Sequence, residues 1–358
     1  MKEFSCETRI VMGAGAIKVL ADQKFRPLMV VSDPFFSKNG WAERLGKLAQ
    51  THEIFDKVAP DPSVELVAEG TALVQQFEPD GMVAIGGGSA MDCAKAIVYF
   101  SGLNIPLIAI PTTSGSGSEV TDFAILTHNG VKHPLVDKTL RPKIAILEAE
   151  LLTGMPPSLI ADSGFDILAH ALEAWVGTNA NPMTDALAEN AFRTASSLLS
   201  ASFEGDKSVR LDLHIASTMA GLSFTQAGLG LCHALSHALG GQFHVPHGRL
   251  NAILLPAVLS CNAESAGAKY AELARRAGFG GSSDAMALRY LKNALIRLRR
   301  ELKLPDSLIQ AGVKYEELQD KTQQVISAAL ADPCCTTNPV PVTEEMVRRV
   351  LREVAGRG

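Results

Sequence analysis

Short apolar or β-branched runs alternate with amphipathic segments over the first 150 residues of this 358-residue chain, and then they stop. Alternation of this kind predicts a parallel sheet covered by helices. Beyond Met155, segment after segment has a helical period with Leu and Ala on one face. We therefore expect an α/β domain with a Rossmann-like parallel sheet over residues 1–155, followed by an all-α domain over residues 156–358. The predicted strands are residues 28–32, 52–55, 81–85, 106–110 and 143–147, and the clearest amphipathic segments are residues 64–77 and 90–100.

Charge and hydropathy exclude several classes of protein. The formal net charge of −5 gives no electrostatic footprint for nucleic acid. No apolar run reaches the ~18 residues of a membrane span, and residues 1–6 lack the apolar core of a signal peptide. The six cysteines are scattered and include no Cys-x-x-Cys pair, so reduced thiols in the cytoplasm are expected.

Acidic and imidazole side chains recur at metal-ligand spacing in the second half. Asp166 and His170 are four residues apart in a helical pattern and so share one helix face. Four of the nine histidines fall within residues 233–247, a stretch without charged side chains. Buried imidazoles without partners are costly, so this density indicates a ligand or a polar network. Asp166, His170, His233 and His247 would form an N/O set that suits Fe(II), Zn(II), Co(II) or Mn(II).

Each of these signals has an ordinary alternative. An isolated Asp or His on a helix is more often a cap, a surface group or a satisfied core residue than a ligand. Asp162 lies one turn before Asp166 and competes with it as the carboxylate ligand. The residues alone leave this choice open.

Two loops in the first half have the composition of phosphate-binding turns. The predicted strand at 81–85 runs directly into three glycines and Ser89, and then into a helix. Such a turn lets backbone N–H groups approach a phosphate, and the helix N-terminus adds a favourable dipole. Residues 111–119 follow the next strand and are rich in hydroxyl groups and glycine. Two such loops after neighbouring strands predict a nucleotide site, although each alone is also typical of a tight turn.

Two further positions bear on the nucleotide. Asp33 ends the first strong strand, where a carboxylate bonds a ribose 2′-hydroxyl and repels a 2′-phosphate; as a turn residue before Pro34 it would also be ordinary. Gly13 and Gly15 look like the start of a dinucleotide fingerprint, but no strand precedes them within a βαβ unit, so we set them aside.

Five motifs, at residues 86–89, 111–121, 166–173, 233–237 and 246–248, occur in this order along the chain. Together they resemble the iron-containing (group III) alcohol dehydrogenase family, and the resemblance covers nearly the whole chain. It implies that Fe(II), with Zn(II) as the alternative, is bound by Asp166, His170, His233 and His247, which picks Asp166 over Asp162. It also implies a catalytic His237 near the nicotinamide. The NAD contacts that it implies are Asp33, Gly87, Gly88, Ser89, Asp92, Thr112, Ser116, Thr121 and Lys132.

Within that family, residues 162–176, 223–230, 240–244 and 328–332 are similar to the branch that acts on 1-propanol in propanediol-utilising bacterial microcompartments, and to its relatives in ethanolamine and choline pathways. The resemblance implies an NAD-dependent, metal-activated hydride transfer between NAD(H) and a short-chain alcohol or aldehyde, in the direction that regenerates NAD. It also implies a homo-oligomer, expected to be a dimer, in the cytoplasm or inside a microcompartment with shell proteins as partners. Residues 1–12 are either a docking element or a first strand.

Three positions depart from the family pattern: Ser116 replaces Thr, Glu148 replaces an Asp, and Arg249 follows the Pro-His-Gly motif. The last two leave substrate preference open, and a polyol or hydroxyaldehyde dehydrogenase of the same superfamily is the alternative. A cyclase would need extra Lys or Arg side chains for a phosphorylated substrate, and the ligand segment is nearly free of them. A non-catalytic microcompartment component would have no use for an intact ligand set.

Overall fold

A computed structural model describes residues 3–128 and 131–356 of the chain. They form two compact units, one of residues 5–155 and one of residues 156–356 together with Glu3 and Phe4.

All strands of the described residues lie in the first unit. They are β1 (Arg9–Gly13), β2 (Pro27–Ser32), β3 (Thr51–Phe55), β4 (Gly81–Gly86), β5 (Leu107–Pro111), β6 (Phe123–His128), β7 (Val131–Val136) and β8 (Ile144–Glu148). The α-helices of this unit are α1 (Pro34–Lys38), α2 (Trp41–Gly46), α3 (Val64–Phe77) and α4 (Gly88–Ser101).

Six strands form one sheet in the order β1-β8-β5-β4-β2-β3, and every neighbouring pair is parallel. The remaining two, β6 and β7, form an antiparallel pair. The central strands β4 and β5 are buried along their whole length. Alternate residues on them contribute to two separate apolar clusters, for example Met82 to one and Val83 to the other. Both faces of the sheet are therefore covered, which explains why these strands read as unbroken apolar runs.

The predicted fold class is confirmed, and each of the five predicted strands agrees with the structure to within one residue at either end. Two strands, β6 and β7, were not predicted, and β1 was only one of two possibilities for residues 1–12. β1 is an edge strand without buried side chains, and β7 is largely exposed, so neither has a strong apolar signal. β1 ends at Gly13, but it pairs with β8 and not with β2, so Gly13 and Gly15 lie outside a βαβ unit, as predicted. A 3-10 helix (Ala16–Gln23) follows β1 rather than the α-helix that a dinucleotide fingerprint requires.

Of the two possibilities for residues 1–12, the structure has a strand in the second part of this segment. β1 pairs with β8 from Arg9 to Gly13. Met1 and Lys2 lie outside the described residues, so the docking possibility stays a prediction for them.

The described part of the second unit is helical. Its α-helices are α5 (Pro157–Val176), α6 (Pro182–Phe203), α7 (Arg210–Ala227), α8 (Leu231–Phe243), α9 (His247–Arg276), α10 (Asp284–Glu301), α11 (Tyr315–Ala331) and α12 (Glu344–Ala355). Helix α5 is buried almost all round from Ile160 to Val176, and it packs against α6, α7 and α9. Over residues 3–128 and 131–356 no helix combines the length and apolarity needed to cross a membrane.

The start of helix α9 is fixed by a close backbone approach to α5. A Cβ atom at Gly248 would lie 1.9 Å from the Asp162 carbonyl oxygen, so only glycine fits this position. Pro246 precedes the helix, and its ring favours the extended backbone found there. The Pro-His-Gly motif thus holds His247, the first residue of α9, against the helix that carries Asp166.

Candidate metal centre and nucleotide loops

Helices α5, α8 and α9 bring the four predicted metal ligands together. The Oδ1 atom of Asp166 lies 3.5 Å from His247 Nε2, 3.7 Å from His233 Nε2 and 3.9 Å from His170 Nδ1. These separations exceed those of ordinary hydrogen bonds. They are close to the edge of about 3.4 Å of a tetrahedron whose vertices lie about 2.1 Å from a central Zn(II)-like ion.

Three of the four ligands form the tightest group. The donor atoms of Asp166, His233 and His247 all lie within 4.8 Å of one another, whereas no nitrogen of His170 meets that limit with all three. The His170 ring instead stacks between Phe224 and His233, at centroid distances of 4.3 and 4.4 Å. His170 Nδ1 nevertheless lies 3.9 Å from Asp166 Oδ1, and its role as the fourth ligand stays a prediction.

The electrostatics of the centre favour positive charge. Burial disfavours the ionised form of Asp166, but the surrounding imidazoles outweigh it and hold the pKa of this carboxyl well below its usual range. Burial likewise opposes the charged form of His233, but the carboxylates of Asp166 and Glu173 outweigh it and raise the His233 pKa to about 9. The carboxylates thus stabilise a positive charge on His233. A divalent cation bound among the same groups would supply that positive charge instead.

Asn251 is a buried neighbour of the ligands that sequence analysis missed. Its Nδ2 atom lies 2.7 Å from Asp166 Oδ1, 3.3 Å from His247 Nε2 and 3.4 Å from His233 Nε2. Its Oδ1 atom accepts a hydrogen bond from Ser236. A neutral amide is thus the group that contacts all three donor atoms. Three acceptor atoms therefore point at the same place, where only the amide nitrogen of Asn251 contacts all of them. Such a convergent set of acceptors is typical of a cation site, so these residues fit a divalent metal ion.

Glu173 was part of the α5 motif but received no role from the sequence. Its Oε2 atom lies 2.6 Å from His233 Nδ1, which leaves Nε2 to face the centre. Its carboxylate also accepts the backbone N–H groups of Gly230 and Cys232 at the start of α8. A carboxylate behind a ligating histidine is a common support for metal sites because it fixes the ring and the tautomer.

Asp162, the competing carboxylate, is engaged elsewhere. Arg249 donates to both of its oxygen atoms, at 3.2 and 3.0 Å. Of the two carboxylates, only Asp166 has the histidine nitrogens around it. The unusual Arg249 is explained by the same contact, because it neutralises a carboxylate that α5 buries.

His237 lies one turn further along α8 than His233. Its Nδ1 atom is 2.8 Å from Asp332 Oδ2, and its ring stacks on His247 at a centroid distance of 5.2 Å. Burial opposes ionisation of Asp332, but the hydrogen bond to His237 outweighs it and lowers the Asp332 pKa to about 2. An ionised carboxylate that orients an imidazole is the usual arrangement behind a proton-transferring histidine. Asp332 received no role from the sequence.

In the first unit, five of the nine predicted NAD contacts are brought together. Asp33, Gly87 and Thr112 follow β2, β4 and β5, which are neighbours in the sheet. The Thr112 N–H donates to the Gly86 carbonyl at 2.9 Å. The Ser116 hydroxyl lies 3.1 Å from the position of a Cβ atom built on Gly88. The glycine-rich turn thus sits between the two other loops, at the carboxyl edge of the sheet.

The side-chain oxygens of Asp33 have separate surroundings. Oδ1 caps helix α1 by accepting the N–H groups of Phe35 and Phe36. Oδ2 lies 3.2 Å from the position of a Cβ atom on Gly86. The ordinary turn function and the predicted ribose function of Asp33 are therefore compatible, because they use different atoms.

Three other predicted NAD contacts form hydrogen bonds or an ion pair with residues of the same unit. The Asp92 carboxylate accepts from Ser118 Oγ at 2.6 Å and from the Ile125 N–H at 3.0 Å. Thr121 Oγ1 accepts from Lys95, and Lys132 pairs with Asp61 on the surface. Ser89 lies in the first turn of α4. Lys95 itself was missed by sequence analysis, although it is almost fully buried.

The departure at Glu148 has a structural role. This buried carboxylate accepts the N–H groups of Gly15 and Ile17, at 3.0 and 3.1 Å. The glycine pair that resembles a nucleotide fingerprint is thus held by a side chain at the end of β8.

Comparison with known proteins agrees with the geometry. Residues 7–149 match the model of iron-containing alcohol dehydrogenases, and residues 160–355 match the C-terminal model of the Fe-containing alcohol dehydrogenase family. The chain is 39% identical to the 1-propanol dehydrogenase PduQ of Salmonella typhimurium, over 99% of this chain and 100% of that protein. It is 34% identical to the NADPH-dependent butanol dehydrogenase of Clostridium saccharobutylicum, over 98% of this chain and 97% of that protein. The structure of a sulfoacetaldehyde reductase from Bifidobacterium kashiwanohense in complex with NAD+ matches with a TM-score of 0.88 and 26% identity, over 100% of both chains.

Proposed function

Since the chain belongs to the iron-containing alcohol dehydrogenase family, we propose that it transfers hydride between NAD(H) and a short-chain primary alcohol or aldehyde of the 1-propanol type. Reduction of the aldehyde, which regenerates NAD, is the proposed direction. The 1-propanol dehydrogenase that matches the chain along its whole length supports this substrate class.

The observation that carries the proposal is the position of three imidazole nitrogens around one carboxylate oxygen of Asp166, each between 3.5 and 3.9 Å away. Asp166, His233 and His247 would hold the ion, with His170 as the fourth ligand. When bound, Fe(II) supplies a Lewis acid for the substrate oxygen. The chain's own contribution is to fix the donors: Glu173 orients His233, and the Pro-His-Gly turn positions His247.

His237 is the proposed proton-transfer residue. Asp332 holds its Nδ1 side, so the ring keeps one orientation and its Nε2 side remains for a proton of the substrate, a water molecule or the cofactor ribose. Because the Asp332 pKa is lowered to about 2, this carboxylate stays ionised and stabilises a protonated imidazole during turnover.

The nucleotide would bind at the carboxyl edge of the sheet, where the glycine-rich turn offers backbone N–H groups to the phosphates. Asp33 supports NAD(H) over NADP(H), because its Oδ2 atom is not used by the helix cap. Because the butanol dehydrogenase relative is NADPH-dependent, the preference for NAD(H) over NADP(H) has to be tested for this chain.

The proposed setting is the cytoplasm of a bacterium, inside a microcompartment, with the chain as a homodimer and shell proteins as partners. These proposals rest on the resemblance to the microcompartment branch of the family. Co-purification of the chain with intact shells, and its mass in solution, would test them.

Steady-state rates test the proposed activity. We would load the protein with Fe(II) without oxygen and follow NADH oxidation with propanal, acetaldehyde, lactaldehyde and glyceraldehyde. We expect metal-dependent turnover, with the highest kcat/KM for propanal. A preference for glyceraldehyde or lactaldehyde would replace this proposal by the polyol or hydroxyaldehyde alternative. No metal-dependent turnover with any of the four would overturn it.

A further inference from the structure

A second group of metal-ligand atoms lies beside the Asp166 centre and shares no residue with it. An imidazole nitrogen of His237, a carboxylate oxygen of Asp332 and the thiol sulfur of Cys334 all lie within 4.8 Å of one another. All three residues are partly buried. The His237 ring contacts His247 of the first centre, so the two groups of ligands are neighbours.

The local backbone fixes two of these ligands in one turn. Asp332 follows the last residue of α11 and caps the 3-10 helix Pro333–Thr337, because its Oδ1 atom accepts the Cys334 N–H at 2.8 Å. Its Oδ2 atom points to His237 Nδ1 on α8, also at 2.8 Å. The carboxylate and the thiol are thus presented together to a histidine that a different helix carries.

From this geometry we propose that His237, Asp332 and Cys334 form a second divalent-metal site, selective for Zn(II), whose occupation inhibits the enzyme. One nitrogen, one oxygen and one sulfur ligand with an open fourth position form a donor set that zinc accepts. Thiolate selects zinc over harder ions. The Asp166 centre contains only nitrogen and oxygen donors, so the sulfur atom distinguishes the two sites.

Binding of the ion changes the protonation of the thiol. Burial raises the pKa of the Cys334 thiol well above its usual range, and the negative charge of Asp332 adds to this effect. A divalent cation offsets both contributions. The thiol proton leaves to solvent as the sulfur–zinc bond forms, and the imidazole binds in its neutral form.

Inhibition follows if His237 transfers protons, because an imidazole nitrogen bound to zinc is no longer oriented by Asp332. This consequence rests on the proposed function. The existence of the site does not, so the two can be tested by separate measurements.

The test of the site is a titration of the anaerobic full-length holoenzyme with Co(II), which replaces Zn(II) and has visible and near-ultraviolet spectra. A thiolate-to-cobalt charge-transfer band in the near ultraviolet reports only a sulfur-ligated ion. The Asp166 centre has no sulfur ligand and gives no such band, whichever ion occupies it. We expect the band to appear and to saturate at one cobalt per chain.

Two cysteine variants locate the band. Cys334→Ser should abolish it. Cys335→Ser is the matched control and should retain it, because this adjacent sulfur lies outside the ligand group and contacts the Ala329 carbonyl instead. A titration without the band, or a band that persists in Cys334→Ser, would overturn the proposal.

A third variant covers the case in which Cys334→Ser fails to fold. Asp332→Asn keeps the thiol and removes the carboxylate charge. It should weaken cobalt binding at this site by at least ~10-fold, since even outer-shell changes alter metal affinity by about 10–100-fold. Unchanged cobalt affinity in Asp332→Asn would contradict the assignment of this ligand.

The inhibitory effect is measured separately, with Zn(II) added to the iron-loaded enzyme during NADH oxidation. The zinc concentration for half-inhibition should rise at least ~10-fold in Cys334→Ser relative to Cys335→Ser, as expected for the loss of a ligand. If the cobalt band is present but zinc inhibits both variants equally, the site exists and its inhibitory role is wrong. If the parent enzyme turns over no aldehyde although its cobalt band is present, the proposed function fails and the site stands.

Discussion

The Nδ1 atom of His233 lies 2.6 Å from the Oε2 atom of Glu173, and both side chains are buried. The contact spans 60 residues of sequence and joins α8 to α5. It fixes which nitrogen of His233 faces Asp166, and the same carboxylate anchors the first backbone N–H groups of α8. Glu173 therefore connects the local fold of α8 to the donor geometry of the metal centre.

We expect Glu173→Gln to lower metal affinity by about 10–100-fold, because the amide removes the negative charge that fixes the His233 tautomer. The amide oxygen still accepts from the start of α8, so the helix should remain folded. The measurement is Fe(II) or Zn(II) competition against a chelator, with circular dichroism as the check on folding. Glu189→Gln, at a partly buried residue of α6 that pairs with Arg193 and Arg276, is the control. Equal metal affinity in both variants would show that Glu173 serves α8 only.

The histidines at the centre should separate into two groups. His247→Ala removes a ligand, so it should lose metal and turnover while NADH binding persists. His237→Ala should keep the metal and lose about 10²–10⁴-fold in kcat, the usual contribution of a proton-transferring group. Metal analysis and NADH fluorescence titration distinguish these outcomes. Full metal occupancy in His247→Ala would contradict the ligand assignment, and metal loss in His237→Ala would contradict the proton-transfer role.

The buried Lys95 joins α4 to the loop that follows β5. Its Nζ atom donates to Ser118 Oγ, Thr121 Oγ1 and the Phe123 carbonyl, at 3.0, 2.8 and 2.9 Å. Burial lowers its pKa to about 8, although nearby carboxylates, Asp92 first, act in the opposite direction. Helix α4 begins at the glycine-rich turn, so this ammonium group holds the two predicted phosphate loops in register.

We therefore expect Lys95→Met to raise the KM for NADH several-fold while kcat and metal content change little. The thermal midpoint should also fall, because three buried acceptors lose their donor. Lys47→Met, a substitution at an exposed lysine of the same unit, is the control. A normal KM for NADH together with a lowered thermal midpoint would limit Lys95 to a role in stability.

Much of this fold could be predicted because the sequence patterns that indicate it are local. Buried strands such as β4 are unbroken apolar runs, and ligand pairs such as Asp166 and His170 repeat at the helical period. The groups that complete the centre are harder to recognise. Asp332 lies 95 residues from His237, and its role depends on which helices pack together. Asn251 follows His247 by four residues on α9, but an amide at that spacing is not a typical metal ligand, and its contact with Asp166 spans 85 residues.

The preference for NADH over NADPH should depend on the negative charge of Asp33 and not on the hydrogen bonds by which Asp33 caps α1. A carboxylate facing the adenosine ribose opposes a 2′-phosphate by like-charge repulsion, and this favours NADH over NADPH. Asp33→Ser separates the two roles, because serine removes the charge but retains a side-chain oxygen that can cap α1. We expect the parent enzyme to prefer NADH and Asp33→Ser to narrow the ratio of kcat/KM values. Asp33→Asn, which is neutral and nearly isosteric, should behave alike. Equal kcat/KM for NADH and NADPH in the parent would refute the role of the charge.

Inactivation by oxygen should act through the metal and not through Cys232. The Cys232 thiol would be a second target of oxidation if it were exposed, but it is fully buried, and burial raises its pKa well above the usual range. Oxidation favours exposed thiolates, so this sulfur is protected. The proposed Fe(II) ligands include no thiolate, and Fe(II) lies near the weak end of the divalent affinity order. Activity should therefore decay in air, return when Fe(II) is added without oxygen, and respond poorly to reductant alone. Cys232→Ser should lose activity at the parent rate.

Zn(II) bound by the same ligands should give a stable but slower enzyme. An aerobic preparation that keeps full activity with zinc as its only metal would therefore show that iron is not the working ion.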